Sequence, residues 1–137
     1  MRYRMLLLYL VLFMIAGSFA FGEELKTDPA VVELTGQFII PKYRDTAADR
    51  IGKYLALELD NPIDVAGDKF GGPVKGIRVV QMLLTGDPET RETTVYRYKG
   101  SRVKVTGTLI HAHAATHRTK VVLKVQKIQD QYPDTNK

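Results

Sequence analysis

The chain has 137 residues, 45% of them hydrophobic and 26% charged, and 20 Lys plus Arg against 15 Asp plus Glu give a net charge of +5. This length holds one domain of ordinary size, and the composition is that of a globular protein rather than a disordered one. The absence of cysteine excludes a disulfide framework, a Cys-ligated zinc, a thiol nucleophile and a lipoprotein anchor.

The amino terminus reads as an address. A basic start, Met1 to Arg4, precedes an unbroken apolar run from Met5 to Ile15, and the small residues Ser18 and Ala20 then stand at signal-peptidase spacing. This layout predicts a secretory signal peptide over residues 1–22, cut after Ala20 or after Gly22. The rival is an uncleaved anchor, but Met5 to Phe21 includes Gly17 and Ser18 and is shorter than the roughly 20 residues that a spanning helix needs. An N-terminal arm over 23–30 follows, then a single β domain over 31–129 and a flexible tail over 130–137.

Val31 to Ile40 is rich in β-branched and apolar residues and ends at Pro41, which predicts a strand with Gly36 as a bend or bulge. The polar stretch Lys42 to Gly52 is expected to be a loop, with at most one helical turn. Lys53 to Leu59 alternates, with Leu55, Leu57 and Leu59 on one face, and Asp60-Asn61-Pro62 is expected to stop that strand. Ile63 to Val74 holds Gly67, Gly71, Gly72 and Pro73 and predicts a loop. Ile77 to Leu84 is a third apolar run whose length and Val/Ile content favour a strand. Thr85 to Thr94 is a polar connection in which Asp87-Pro88-Glu89 can open one helical turn, with Asp as cap and Pro at the first position.

The last two strands are the clearest. Arg102 to Leu109 places Val103, Val105 and Leu109 inward and Arg102, Lys104, Thr106 and Thr108 outward, and Thr119 to Ile128 puts Val121, Leu123 and Val125 on one face. Ile110 to Arg118 joins them as a hairpin. The motif Leu34-Thr-Gly-Gln-Phe38 recurs as Val105-Thr-Gly-Thr-Leu109, two strands that each need a glycine where a small sheet coils sharply. The expected fold class is all-β: a small five-stranded barrel like the oligonucleotide/oligosaccharide-binding barrel, with at most one short helix. A β-sandwich is the alternative. Closure also removes sheet edges that a chain without disulfides would otherwise have to protect.

Three blocks carry a resemblance: Val32 to Gly36, Leu57 to Ile63, and above all Lys99 to His113, a glycine-opened strand running into a His-rich turn. With them the region from Val31 to Ile128 resembles the domain-of-unknown-function family numbered 4431, small secreted bacterial proteins. The resemblance implies export and a barrel-like fold and transfers no activity.

The charge is divided. Glu23 to Asp68 is net acidic and Lys69 to Gln129 strongly basic. Such halves either neutralise each other across a sheet, the plainer expectation, or make a dipolar surface that steers an acidic partner. Arg97, Lys99, Arg102, Lys104, Arg118, Lys120, Lys124 and Lys127 fall mostly on the outward faces of the last hairpin. Among them Arg102, Lys104, Arg118 and Lys120 are candidate ligand-binding residues. A nucleic-acid-binding barrel interleaves such a groove with aromatic platforms; Tyr96 and Tyr98 are close by, but the hairpin itself has none. Nucleic acid is therefore not the expected partner, and an envelope protein or an anionic envelope ligand suits an exported basic surface better.

His111, His113 and His117 are all the histidines of the chain. Strand parity puts His111 and His113 on one face, and His117 can return over them. Three converging imidazoles would suit Zn, Cu or Ni. Against a metal stand the lack of any Asp or Glu between Glu92 and Asp130 and the nearby cations Arg118 and Lys120. The plainer alternative is a polar hairpin end whose histidines bond to backbone groups. Gly67 to Pro73 lacks P-loop spacing; Ser101 lies in no nucleophile elbow; Glu58 and Asp60 have nothing matched to them and read as a solvated strand edge. With no catalytic constellation, the expectation is a non-enzymatic exported binding or accessory module. The alternative is a periplasmic metal-binding protein using the His-x-His-x3-His cluster, and a hydrolase has the least support.

Overall fold

The computed structural model describes residues 24–132, so the expected signal peptide over 1–22 and the end of the tail lie outside the described residues. Five long strands make the barrel: β2 (Val31–Ile39), β5 (Ala56–Val65), β6 (Val74–Leu83), β7 (Arg102–His111) and β8 (Val121–Asp130). Around them stand β1 (Glu24–Leu25), the small hairpin β3 (Lys42–Asp45) and β4 (Arg50–Lys53), and, among the described residues, one helix, α1 (Pro88–Tyr98). The barrel strands follow one another round the ring as β2, β5, β6, β8, β7 and back to β2. Within the ring every pairing is antiparallel except β6 with β8, which is parallel. The parallel contact is possible because α1 and β7 intervene between β6 and β8 in the chain, giving the crossover length that parallel neighbours need. The architecture is thus a small closed all-β barrel with one short helix, as the alternation of the strands predicts.

Alternation fills the interior. Phe38, Leu57, Val65, Val80, Val103, Val105, Leu109, Val121 and Leu123 are completely buried and form one core. Each such side chain stabilises the fold by roughly 1.5–3 kcal/mol relative to its exposed state. The repeated Thr-Gly motif has a steric cause. A Cβ at Gly36 would collide with the carbonyl oxygen of Glu58 on β5, and one at Gly107 with that of Lys124 on β8. Only at Gly107 does the ladder also shift register, between Thr106 and Gly107; the expected bulge at Gly36 is instead a plain close crossing.

Three expectations need correction. The polar stretch 42–52 is no loop but the β3–β4 hairpin, in register from Lys42 opposite Lys53 to Asp45 opposite Arg50. It pairs only with itself, so no barrel-facing apolar alternation marks it. The second barrel strand does not stop at Asp60: β5 runs through Pro62 to Val65. Its pairing with β6 is interrupted between Glu58 and Ile63, so no ladder bond is asked of the proline. The single turn expected at Asp87 is an eleven-residue helix, although its cap is as predicted: the Asp87 carboxylate accepts from Thr90 N at 2.7 Å and Pro88 stands in the first turn. The N-terminal arm is tied down. β1 pairs parallel with β5, Glu24 opposite Asp64 and Leu25 opposite Val65, and Asp28 N donates to Leu109 O at 2.8 Å.

At the other end Gln131 N donates to Arg102 O, so the described start of the expected flexible tail is also bonded to the barrel. Among the described residues no helix is long and apolar enough to cross a membrane.

Candidate functional site

Two connections leave the barrel and face each other across β6. One is the segment between β2 and β5 that folds into the β3–β4 hairpin; the other is the segment 112–120 between β7 and β8. Between them lies a cleft of about 360 Å³. The hairpin segment contributes Tyr43, Lys53 and Tyr54, the opposite connection contributes Thr116 and Arg118, and β6 forms the floor with Gln81, Met82 and Leu83. Arg91 of α1 closes one side, and among the described residues no carboxylate lines the cleft.

Local rules place these side chains. Tyr43 stands directly opposite Gly52 in the hairpin ladder. Its ring lies across that glycine, and a Cβ at 52 would strike the ring. Tyr54 follows the hairpin with its N–H donating to Pro41 O at 3.1 Å, and the two tyrosine rings meet at 6.2 Å with a 49° tilt. Arg118 comes from the other side: its guanidinium carbon lies 3.8 Å from the centre of the Tyr43 ring, a close cation–π contact that joins the two connections.

What holds Arg118 there is a buried glutamine. The Gln81 side chain accepts from Arg118 N at 2.6 Å and donates to Thr116 O at 3.1 Å, while Gln81 N donates to the Thr119 hydroxyl at 2.9 Å. The Thr119 hydroxyl in turn donates to Val121 O at 2.6 Å. A polar residue on β6 therefore fastens residues 116–119 to the barrel wall. Gln81 is 7% exposed, so its bonds are shielded from water.

The predicted ligand-binding residues divide. Arg118 lines the cleft. Arg102 does not; it is ion-paired with Asp60, whose second oxygen accepts from Gln131 at 3.0 Å. Lys104 lies 3.6 Å from Glu33. Both pairs link the acidic and basic parts of the sequence, Lys104–Glu33 between the neighbouring strands β7 and β2 and Arg102–Asp60 from β7 over β2 to β5, so part of the charge division is neutralised within the sheet. Lys120 is exposed in the 112–120 segment and has no ion-pair partner among the described residues.

The three histidines do not form the set that strand parity suggests. β7 ends at His111, so His113 already belongs to the following turn. His111 is 4% exposed, and its Nε2 donates to Ala66 O at 2.7 Å. His113 is exposed, stacks on Phe70 at 3.9 Å and donates from Nδ1 to His111 O at 3.0 Å. His117 Nδ1 accepts from the backbone N–H groups of His113 and Ala114, at 3.1 and 3.3 Å. Each ring thus fastens backbone, with its tautomer fixed by that bond. Burial, and then the neighbouring His113, hold the His117 imidazole below its ordinary pKa. Among the described residues no group of three or more His, Cys, Asp or Glu side chains is arranged to hold a metal ion.

Asp68 completes this end of the barrel. Partial desolvation works to raise its pKa, but the N–H groups of His111 and Phe70 bond to its carboxylate at 3.0 and 2.7 Å and hold it below the usual carboxylate value.

Tyr43, Lys53, Tyr54, Gln81 and Arg91 were not singled out by the sequence reading. The usable signal was a pair of tyrosines flanked by Lys42, Arg44 and Lys53, but it straddles the boundary between the stretch read as loop, Lys42 to Gly52, and the strand read from Lys53. A larger groove of about 770 Å³ lies between α1 and the barrel, walled by Ile40, Leu55, Val95 and Tyr96. There Arg91 and Lys99 share the lining with Glu92, so it lacks the single sign of charge that marks the cleft.

Fold and site together define a small closed β-barrel carrying a basic, tyrosine-walled cleft. Residues 80–129 match the family described as Domain of unknown function (DUF4431). This is the family that the Lys99–His113 block resembles. The matched stretch begins on β6, contains α1 and β7 and ends on β8, so it includes Gln81, Arg91 and Arg118 but not Tyr43, Lys53 or Tyr54. No curated protein matches the chain.

Proposed function

We propose that this chain is an exported, non-enzymatic binding or accessory module of the cell envelope that receives an anionic or protein partner at the cleft between its two long connections. One observation carries the reading: Arg118, Lys53 and Arg91 line a cleft that contains two tyrosines and, among the described residues, no carboxylate. A concave site lined by one sign of charge concentrates ligands of the opposite sign and speeds their approach. The ring order of the barrel, its parallel closure and its helix between the third and fourth strands support likeness to the oligonucleotide/oligosaccharide-binding barrel. Such barrels bind ligands across their second and third strands, between the connections that follow the first and fourth. Here those connections carry Tyr43 and Arg118. This part of the support is analogy of fold, while the chemistry rests on the side chains themselves. Export is supported by the signal-like residues 1–22 and by the family resemblance.

The test is recovery of partners from envelope extracts at low and high salt, with wild type beside the double reversal Arg118→Glu/Lys120→Glu. The reading predicts retention by wild type that falls steeply with salt and is lost in the reversed protein. Equal recovery by both proteins contradicts it. Export is tested separately by N-terminal sequencing of protein from the exported fraction, where a start at Phe21 or Glu23 is expected and an intact Met1 counts against it.

A further inference from the structure

Resting on the binding role proposed above, we propose that the cleft takes an anionic saccharide: a sugar unit lies against Tyr54, beside the Tyr43–Arg118 pair, while its carboxylate or phosphate sits in the plane of the Arg118 guanidinium.

Three features define the ligand class. The first is the state of Arg118. Its guanidinium is oriented at 3.8 Å over Tyr43, and no carboxylate lies within ion-pair distance of it among the described residues. By contrast Arg102, at the start of β7, is paired with Asp60. An arginine resting on an aromatic ring keeps its in-plane N–H groups available, and those groups match the two oxygens of a carboxylate or phosphate. Gln81 has already fixed the backbone of the loop, so less ordering remains to oppose binding. Lys53 and Arg91 add positive charge on the facing walls.

The second feature is size. About 360 Å³ falls at the lower end of the range of small-ligand sites. A volume of this order accommodates a compact unit, free or as part of a polymer.

The third is the shape of the aromatic walls. Tyr43 and Tyr54 meet at 49°, and Arg118 already covers Tyr43. Successive bases of a nucleic acid stack on open aromatic faces. Two tilted walls, one of them covered, do not provide such platforms. A puckered ring with apolar C–H faces and polar edges needs only one such wall, here Tyr54, since tyrosine offers an apolar face beside a polar tip.

The experiment is calorimetric titration of the purified protein with four probes: trigalacturonate for the carboxylate form, glucose 6-phosphate for the phosphate form, neutral maltotriose, and a single-stranded oligothymidylate. At least one anionic sugar is expected to bind, with maltotriose silent, and which of the two binds identifies the acidic group. R118A should weaken that binding by about tenfold or more, the scale of a lost charge-assisted hydrogen-bond pair. R118K, which keeps the charge but loses the planar fork, should recover only part of it. The double variant K124E/K127E reverses charge on β8 away from the cleft and should bind within about twofold of wild type once long-range charge is screened by salt.

Tighter binding of the oligothymidylate than of either sugar overturns the saccharide assignment. If K124E/K127E loses binding while R118A keeps it, the site assignment is overturned but the basic-surface role stands. If no sugar binds while salt-sensitive recovery from envelope extracts persists, this inference falls alone. If both fail, both readings fall.

Discussion

Replacing Gln81 by Leu tests how the barrel positions its cleft. The substitution keeps side-chain bulk and removes both polar ends. The acceptor at 2.6 Å from Arg118 N and the donor at 3.1 Å from Thr116 O disappear together. Each bond is worth about 1 kcal/mol net. The abandoned N–H and C=O lie at a partly buried seam, which adds a fraction of their desolvation cost, so the expected loss is about 2–3 kcal/mol. For a domain of this size that corresponds to a fall in Tm of roughly 10 °C. Urea denaturation should show a lower midpoint with an unchanged slope. Hydrogen exchange is the sharper assay, because the Arg118 amide loses its acceptor and should exchange faster. The bond from Gln81 N to the Thr119 hydroxyl belongs to the backbone and should survive, so residues 119–121 should keep their protection. Unchanged Tm together with unchanged Arg118 exchange would refute the idea that Gln81 fastens the loop.

Other substitutions separate the remaining forces. Phe38→Ala empties a completely buried position and should cost about 3–5 kcal/mol by denaturant unfolding. Gly36→Val drives a side chain into the Glu58 carbonyl and should cost about 3 kcal/mol or prevent folding, whereas Gly72→Ala, with open space around it, should be nearly neutral. Asp60→Asn weakens a surface pair with Arg102 and should change stability by no more than about 1 kcal/mol. His117 gives a pH signature. Its folded pKa is depressed, so the unfolded chain takes up the proton first. Its contribution is therefore complete above the unfolded value of about 6.5 and declines as pH falls towards the folded pKa. His117→Asn supplies a non-titrating acceptor for the same two N–H groups, so a pH series of unfolding midpoints should lose its decline between pH 7 and 5 at least in part.

Much of the barrel was legible because its strands have one wet face and one buried face. Val103, Val105 and Leu109 on β7 and Val121, Leu123 and Val125 on β8 are buried as their spacing predicts. Legibility failed where that cause is missing. Lys42–Asp45 and Arg50–Lys53 form strands that bury nothing in the barrel, so their sequence carries no period of two. Pro62 looked like a stop because its tolerance depends on a gap in the β6 ladder, a property of the partner strand. The helix was visible at its cap but not along its length, since none of its residues is fully buried. The site followed the same logic. Arg118 was recognised by its charge, but its opposite, Tyr43, lies 75 positions earlier in sequence, and only closure of the barrel brings them together. For the histidines the error was continuity: counting parity through His113 assumes a strand that ends at His111.

The most direct measurement is residue-by-residue chemical-shift mapping of the labelled protein during titration with trigalacturonate and, in parallel, glucose 6-phosphate. The account predicts saturable shifts for at least one of them at Tyr43, Lys53, Tyr54, Gln81 and Arg118, with Lys124, Lys127 and the groove beside α1 undisturbed. Shifts concentrated along the outer face of β8 or in that groove, with the Tyr43–Arg118 pair silent, would contradict it.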